Sequence, residues 1–226
     1  LQQLAPELTP RILILEKEHY PRPKLCAGGL VADAEILLQG LDLDVNEIPH
    51  VDAAAAHFDF RGRGLTVSLP ETHTLRIIRR DEFDAWLAAK ARQRGLEIRE
   101  GIKVQAVRPD SDGVTVQTNA SDFRAQVVVG ADGSKGITRR CVLPHEPTAT
   151  ARVLEVLTTA GEPGRELSAF FDFSPVPSGI AGYTWDFPTQ VRGQPVRCWG
   201  IYDANLFPAE KRPPLKQTLA AEMRRC

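Results

Sequence analysis

Hydrophobic positions along the chain fall into short continuous blocks and alternating stretches, separated by Pro, Gly and charged clusters. The block Ile12-Leu13-Ile14-Leu15, bounded by Pro10 and by Glu16-Lys17-Glu18, is brief and unbroken, which predicts a strand buried on both faces of a parallel sheet. Residues 17–29 are polar, Pro-broken and end on a Gly pair, a long loop of the kind that touches ligands, leading to a short helix over Ala32–Gln39. Weak alternation follows at Leu65-Thr66-Val67-Ser68-Leu69. Asp81 opens a helix through about Arg94, with Asp84 as an approximate capping box, Phe83, Trp86 and Leu87 as an apolar stripe and Gly95 as the stop. Strands are predicted over Leu96–Arg99, Lys103–Val107 and Val114–Thr118, the last two joined by the turn Asp110-Ser111-Asp112-Gly113. A second buried strand, Ala125–Val129, ends at Gly130-Ala131-Asp132-Gly133. Beyond about residue 145, alternation at Arg152–Leu157, Ala169–Phe173 and Val196–Tyr202 predicts an antiparallel sheet, and Pro208–Cys226 can form a helix.

Composition narrows the function classes. The 28 basic residues are balanced by 29 acidic ones, so the chain lacks the broad positive field that nucleic acid requires. Cys26, Cys141, Cys198 and Cys226 are far apart with no CxxC pair, which fits neither a disulfide framework nor structural zinc and predicts a reducing, cytoplasmic setting. No apolar run approaches the roughly 20 residues of a membrane span, so the expectation is a soluble protein, at most peripheral to a membrane. His50, His57 and His73 read as exposed or structural histidines rather than a metal site. Leu1-Gln2-Gln3-Leu4 reads as the end of a helix and Met223-Arg224-Arg225-Cys226 carries no helix stop, so a fragment lacking both ends is expected.

Glu16 closes a strand, where dinucleotide folds place an acid to accept hydrogen bonds from ribose hydroxyls, although no GxGxxG occurs in the chain. The order of features after it is more informative. Pro21-Arg22-Pro23-Lys24-Leu25-Cys26-Ala27-Gly28-Gly29, Arg80 before Phe83-Asp84, the hairpin at Val104, and Gly130-Ala131-Asp132-Gly133-Ser134 with Arg139 together resemble flavoprotein hydroxylases and reductases. Two segments narrow the resemblance to the geranylgeranyl reductase family of FAD-dependent oxidoreductases. PRPKLCAGG looks like that family's cysteine–glycine loop beside the flavin, with Leu25 replacing its usual Pro. Gly182-Tyr183-Thr184-Trp185-Asp186-Phe187-Pro188 is similar to its YxWxFP segment, with Ile180 where a leading Pro is expected.

The resemblance implies an α/β fold: a Rossmann-like FAD-binding domain, incomplete at its first strand and glycine loop, over residues 1–148 with an inserted segment at about 40–78. A mainly antiparallel β-sheet substrate domain occupies 149–226. It implies flavin contacts at Glu16, Cys26, Ala27, Gly29, Arg80, Val104, Asp132 and Gly133, with Arg79 as an alternative to Arg80. Tyr183, Trp185 and Phe187 would wall a prenyl-chain cavity, or else simply pack. Cys26 would be a flavin neighbour or a proton donor, or else a buried structural thiol. The implied activity is reduction of isoprenoid double bonds by hydride from reduced flavin, with NADPH or a ferredoxin-type protein as external donor. An aromatic hydroxylase or halogenase, and a non-catalytic lipid- or nucleotide-binding remnant, are the competing expectations.

Overall fold

The structure, a computed structural model, describes residues 3–146, 150–159, 165 and 167–225. Along the chain run β1 (Leu13–Leu15), β2 (Gly29–Leu30), helix α1 (Ala32–Gly40), β3 (His50–Ala53), β4 (Ala55–Phe60), β5 (Arg63–Ser68) and β6 (Leu75–Ile78). Helix α2 (Arg80–Gln93) precedes β7 (Glu97–Arg99), β8 (Val104–Asp110), β9 (Gly113–Thr118), β10 (Phe123–Ala125) and α3 (Ile137–Val142). The remainder comprises β11 (Arg152–Thr159), β12 (Ser168–Asp172), β13 (Gly182–Val191), β14 (Gln194–Asp203) and α4 (Leu215–Arg225). The chain forms two compact units, Leu1–Arg22 with Asp84–Thr150, and Pro23–Phe83 with Ala151–Cys226.

In the first unit, β1 pairs in parallel with β7, setting Ile14 opposite Ile98, while β8, β9 and β10 form an antiparallel sheet. The two-residue turn predicted between Asp110 and Gly113 closes the β8–β9 hairpin, with the Asp110 carboxylate accepting from the Asp112 amide and paired to Arg124. Two expectations need correction here. β1 is not buried on both faces: its one ladder partner among the described residues is β7, and Ile14 is 37% exposed. Nor do residues 125–129 form a strand. β10 ends at Ala125, no described strand pairs with the residues beyond it, and Val127 and Val129 are 75% and 79% exposed.

The second unit holds a six-stranded sheet in the order β11-β14-β13-β12-β4-β5 and a three-stranded sheet, β2-β6-β3. The β13–β14 hairpin places Tyr183 opposite Tyr202, Trp185 opposite Gly200 and Phe187 opposite Cys198. Because side chains alternate along a strand, Tyr183, Trp185 and Phe187 share one sheet face, and Thr184 and Asp186 share the other. The aromatic face packs with Leu75 and Ile77 of the small sheet, together with Ala53, Ala56, Ala169 and Cys198, to make the main core. On the opposite face, Ile180, Ile201 and Leu219 form a second core under α4. A buried ion pair also lies there: Arg197 Nε donates to Asp186 Oδ1 at 2.7 Å, and its remaining donors reach the carbonyls of Arg165, Ser168 and Asp186. Such a pair is tolerated in a core because each guanidinium nitrogen donates to at least one acceptor.

Helix α2 starts at Arg80, one residue before the expected Asp81. Asp81 accepts from Arg79 at 2.8 Å, and Asp84 is buried near Arg22 at 3.4 Å. The C-terminal helix begins at Leu215 rather than near 208, following Pro213-Pro214. The chain's first described residues form a turn and a 3-10 segment, Pro6–Arg11, in place of an α-helical end. No helix among the described residues is long and apolar enough to cross a membrane.

Candidate functional site: the cysteine–glycine loop and the aromatic sheet face

Residues 26–29 are shaped by the two glycines. Gly28 has φ +83°, and its carbonyl accepts from the Ile78 amide at 3.0 Å. A Cβ at Gly28 would lie 1.9 Å from the Ile78 oxygen, so a side chain there is incompatible with the loop's approach to β6. Gly29 begins β2 opposite Ile77, and a Cβ on it would stand 3.4 Å from Phe187 Cε2. The loop and the aromatic segment, far apart in sequence, therefore meet at Gly29 and Phe187. Ala27 packs against the same core.

Cys26 is exposed, which does not fit a buried structural thiol. Its Sγ accepts from the Gly28 amide at 3.4 Å, and its own amide donates to Glu155 Oε2 at 2.9 Å. Glu155 lies on β11 opposite Gly200, so it shares the sheet face of Trp185 and Tyr183. Burial raises its carboxyl above the ordinary value, against the lowering effect of the Cys26 amide and Arg79.

Of the three aromatics, Trp185 and Phe187 are each 4% exposed and pack as core, whereas Tyr183 is half-buried at the margin. Tyr183 meets Phe171 and Tyr202 with ring centroids 5.5 and 5.7 Å apart. Trp185 lies across Gly200, where a Cβ would come within 2.0 Å of the indole, and its Nε1 donates to Cys198 Sγ at 3.5 Å. Burial pushes the Cys198 thiol up to about 12, which keeps it protonated and unreactive. Cys141 is exposed, and Cys226 lies outside the described residues.

Arg80 is the first residue of α2 and half-buried. Its neighbour Arg79 bonds Asp81 and interacts electrostatically with Glu155.

The remaining sequence-selected residues lie in the first unit. Glu16 follows β1; its Oε1 accepts from the Glu18 amide at 3.0 Å, and its Oε2 is 3.4 Å from the Tyr20 hydroxyl and 3.6 Å from Arg22 Nε. Burial, and then the Glu16 charge, raise the Tyr20 phenol. Val104 opens β8 opposite Thr118, just before a bulge. Asp132 accepts from the Thr138 amide at 3.0 Å and packs against Gly136, whereas Gly133, at φ +81°, faces open space.

Glu155, Tyr202 and Gly200 escaped the sequence reading. The available signal was a carboxylate interrupting the apolar run Val153-Leu154-Glu155-Val156-Leu157. On the sheet's opposite face, His57, Phe170, Asp172, Asp186, Trp199 and Arg225 border a cleft of about 200 Å³, in which Arg225 pairs with Asp172.

The class is set by the family match, that of proteins with an FAD binding domain. A family profile described as FAD binding domain matches residues 40–177, and the chain belongs to that family. An uncharacterized protein of Methanosarcina barkeri is 26% identical over 195 residues, covering 86% of this chain and 48% of that protein. A rifampicin monooxygenase of Streptomyces venezuelae is 34% identical over 164 residues, covering 67% of this chain and 34% of that enzyme. In structure, the chain is similar to a geranylgeranyl bacteriochlorophyll reductase-like protein of Thermoplasma acidophilum, with TM-score 0.73 at 21% identity, over 94% of this chain and 55% of that one. The chain thus spans about half the length of these proteins or less.

Proposed function

We propose that the chain belongs to an FAD-dependent oxidoreductase that reduces isoprenoid double bonds, with Cys26–Gly29 as the flavin-facing loop. The observation that carries this reading is the convergence of that loop with the Tyr183–Phe187 segment at Gly29 and Phe187. The residues fit a flat cofactor: between Cys26 and Gly29 the loop carries a thiol, a methyl group and two residues without side chains. When bound, FAD supplies the hydride.

Cys26, exposed and next to the glycine pair, would stand as the proton donor to the second carbon of the double bond. Trp185 and Phe187 are buried behind the sheet face, while Tyr183 is half-buried at its margin, where a prenyl chain needs an apolar wall. Glu16, Val104, Asp132 and Gly133, and Arg80 or Arg79, are the proposed further cofactor contacts. NADPH or a ferredoxin-type protein is the proposed electron source, and contact with a membrane surface would accompany a lipid substrate.

The test is to reduce the flavin of the full-length protein with dithionite, exclude oxygen, and add geranylgeranyl diphosphate. Substrate-dependent reoxidation with a product heavier by two hydrogens is expected, and repetition with NADPH replacing dithionite identifies the donor. The rifampicin monooxygenase relative favours a second reading, oxygen-dependent hydroxylation. Flavin that is reoxidised by oxygen alone, with the prenyl substrate unchanged, would overturn the reductase reading in its favour.

A further inference from the structure

Glu155 is the one carboxylate whose side chain bonds the backbone of the cysteine–glycine loop among the described hydrogen bonds. We propose that Glu155 is a positioning residue: as a carboxylate it fixes the Cys26–Gly29 loop through the Cys26 amide, and on protonation it loosens that hold. Three observations carry this. The bond is 2.9 Å long and joins β11 to a loop 129 residues away in sequence. Gly28 is already locked by contact with Ile78, so the Cys26 end is the part of the loop left to be fixed from elsewhere. A hydrogen bond to an ionised acceptor is about twice as strong as one to a neutral acceptor, so protonation weakens this particular contact.

The surroundings make that protonation accessible. Around Glu155 stand Cys26 on the loop, Arg79 at the end of β6, Asp81 at the start of α2, and Cys198 on β14. Burial and Asp81 favour the neutral acid, whereas the Cys26 amide and Arg79 favour the carboxylate, and burial is the largest of these effects. Cys198 remains a neutral thiol and adds no charge. Glu155 is half-buried, so water can supply the proton.

The consequence for catalysis rests on the reductase reading; the consequence for the loop does not. Two measurements on the full-length protein keep them apart. In an NMR titration between about pH 4 and pH 8, the Cys26 amide proton should move downfield with a midpoint shared by the Glu155 carboxyl carbon, and Glu155→Gln should abolish the step. A Cys26 amide that does not titrate with Glu155 overturns the proposal, a result readable on the wild-type protein even if the variant fails to fold. In the anaerobic reoxidation assay, Glu155→Gln should lower kcat by about ten- to a hundredfold, as small misplacements of reacting groups do, with KM little changed and the acid limb of the pH profile lost. Unchanged kcat with a titrating amide would leave the latch standing and remove its catalytic role. No prenyl-dependent reaction at all would instead refute the reductase reading.

Discussion

At the scale of single residues, the loop's geometry sets unequal demands on its glycines. Gly28→Ala combines a left-handed backbone, costing about 1–2 kcal/mol, with a collision against the Ile78 carbonyl that adds about 1–3 kcal/mol. Gly133→Ala carries only the first of these, because that position faces open space. Urea unfolding of the two variants should show the first markedly less stable than the second. The Gly pair was legible in the sequence because glycine has so few reasons to be doubled in a polar loop. Glu155 was not, since a lone acid in a strand looks the same whether it faces water or a loop amide.

Asp203 offers a pH-dependent test at the same scale. It is fully buried, pairs with Arg152 at 2.5 Å, and accepts from the Ala181 and Asn205 amides. Burial works to raise its pKa, but Arg152 and the two amides outweigh it and the carboxyl ends below its ordinary value. A depressed pKa means the folded state binds the proton less readily than the unfolded chain. Its stabilisation is therefore complete above the unfolded value and lost as pH falls through the folded one. Asp203→Asn should flatten that acid-side loss, and Asp203→Ala should cost about 3–5 kcal/mol at neutral pH by stranding Arg152. Denaturant melts across the acid range check both.

At the scale of elements, β13 shows what alternation can and cannot convey. It identified Tyr183, Trp185 and Phe187 as sharing one side, but not that two of them are core and the third marginal. That distinction depends on β6 and Gly29, which cover Phe187 from another part of the chain. Phe187→Ala should cost about 3–5 kcal/mol as a large core truncation, whereas Tyr183→Phe should leave thermal stability nearly unchanged and alter substrate affinity instead. The β8–β9 hairpin was readable because its turn is local. The parallel pairing of β12 with β4, which sets Phe171 beside Phe58, was not, since no local residue records a partner more than a hundred positions distant. Residues 125–129 show the opposite failure: the apolar run suggests a buried strand, but no described strand supplies its ladder.

At the scale of the molecule, the chain builds two units from four interleaved stretches, and the family match runs across both. The α/β class and the antiparallel second sheet were expected from the sequence. The entry of β4 and β5 into that sheet was not, because weak alternation at 65–69 could not show where the strand would pair. The central claim is that the Cys26–Gly29 loop and its sheet face meet the flavin, rather than the cleft bordered by Trp199 and Phe170. Hydrogen exchange of the full-length protein, measured by mass spectrometry with and without FAD, tests this directly. Protection on FAD binding should appear in peptides covering residues 24–31 and 153–157. Protection at residues 57–59 and 168–172, with the loop peptide unchanged, would contradict the account.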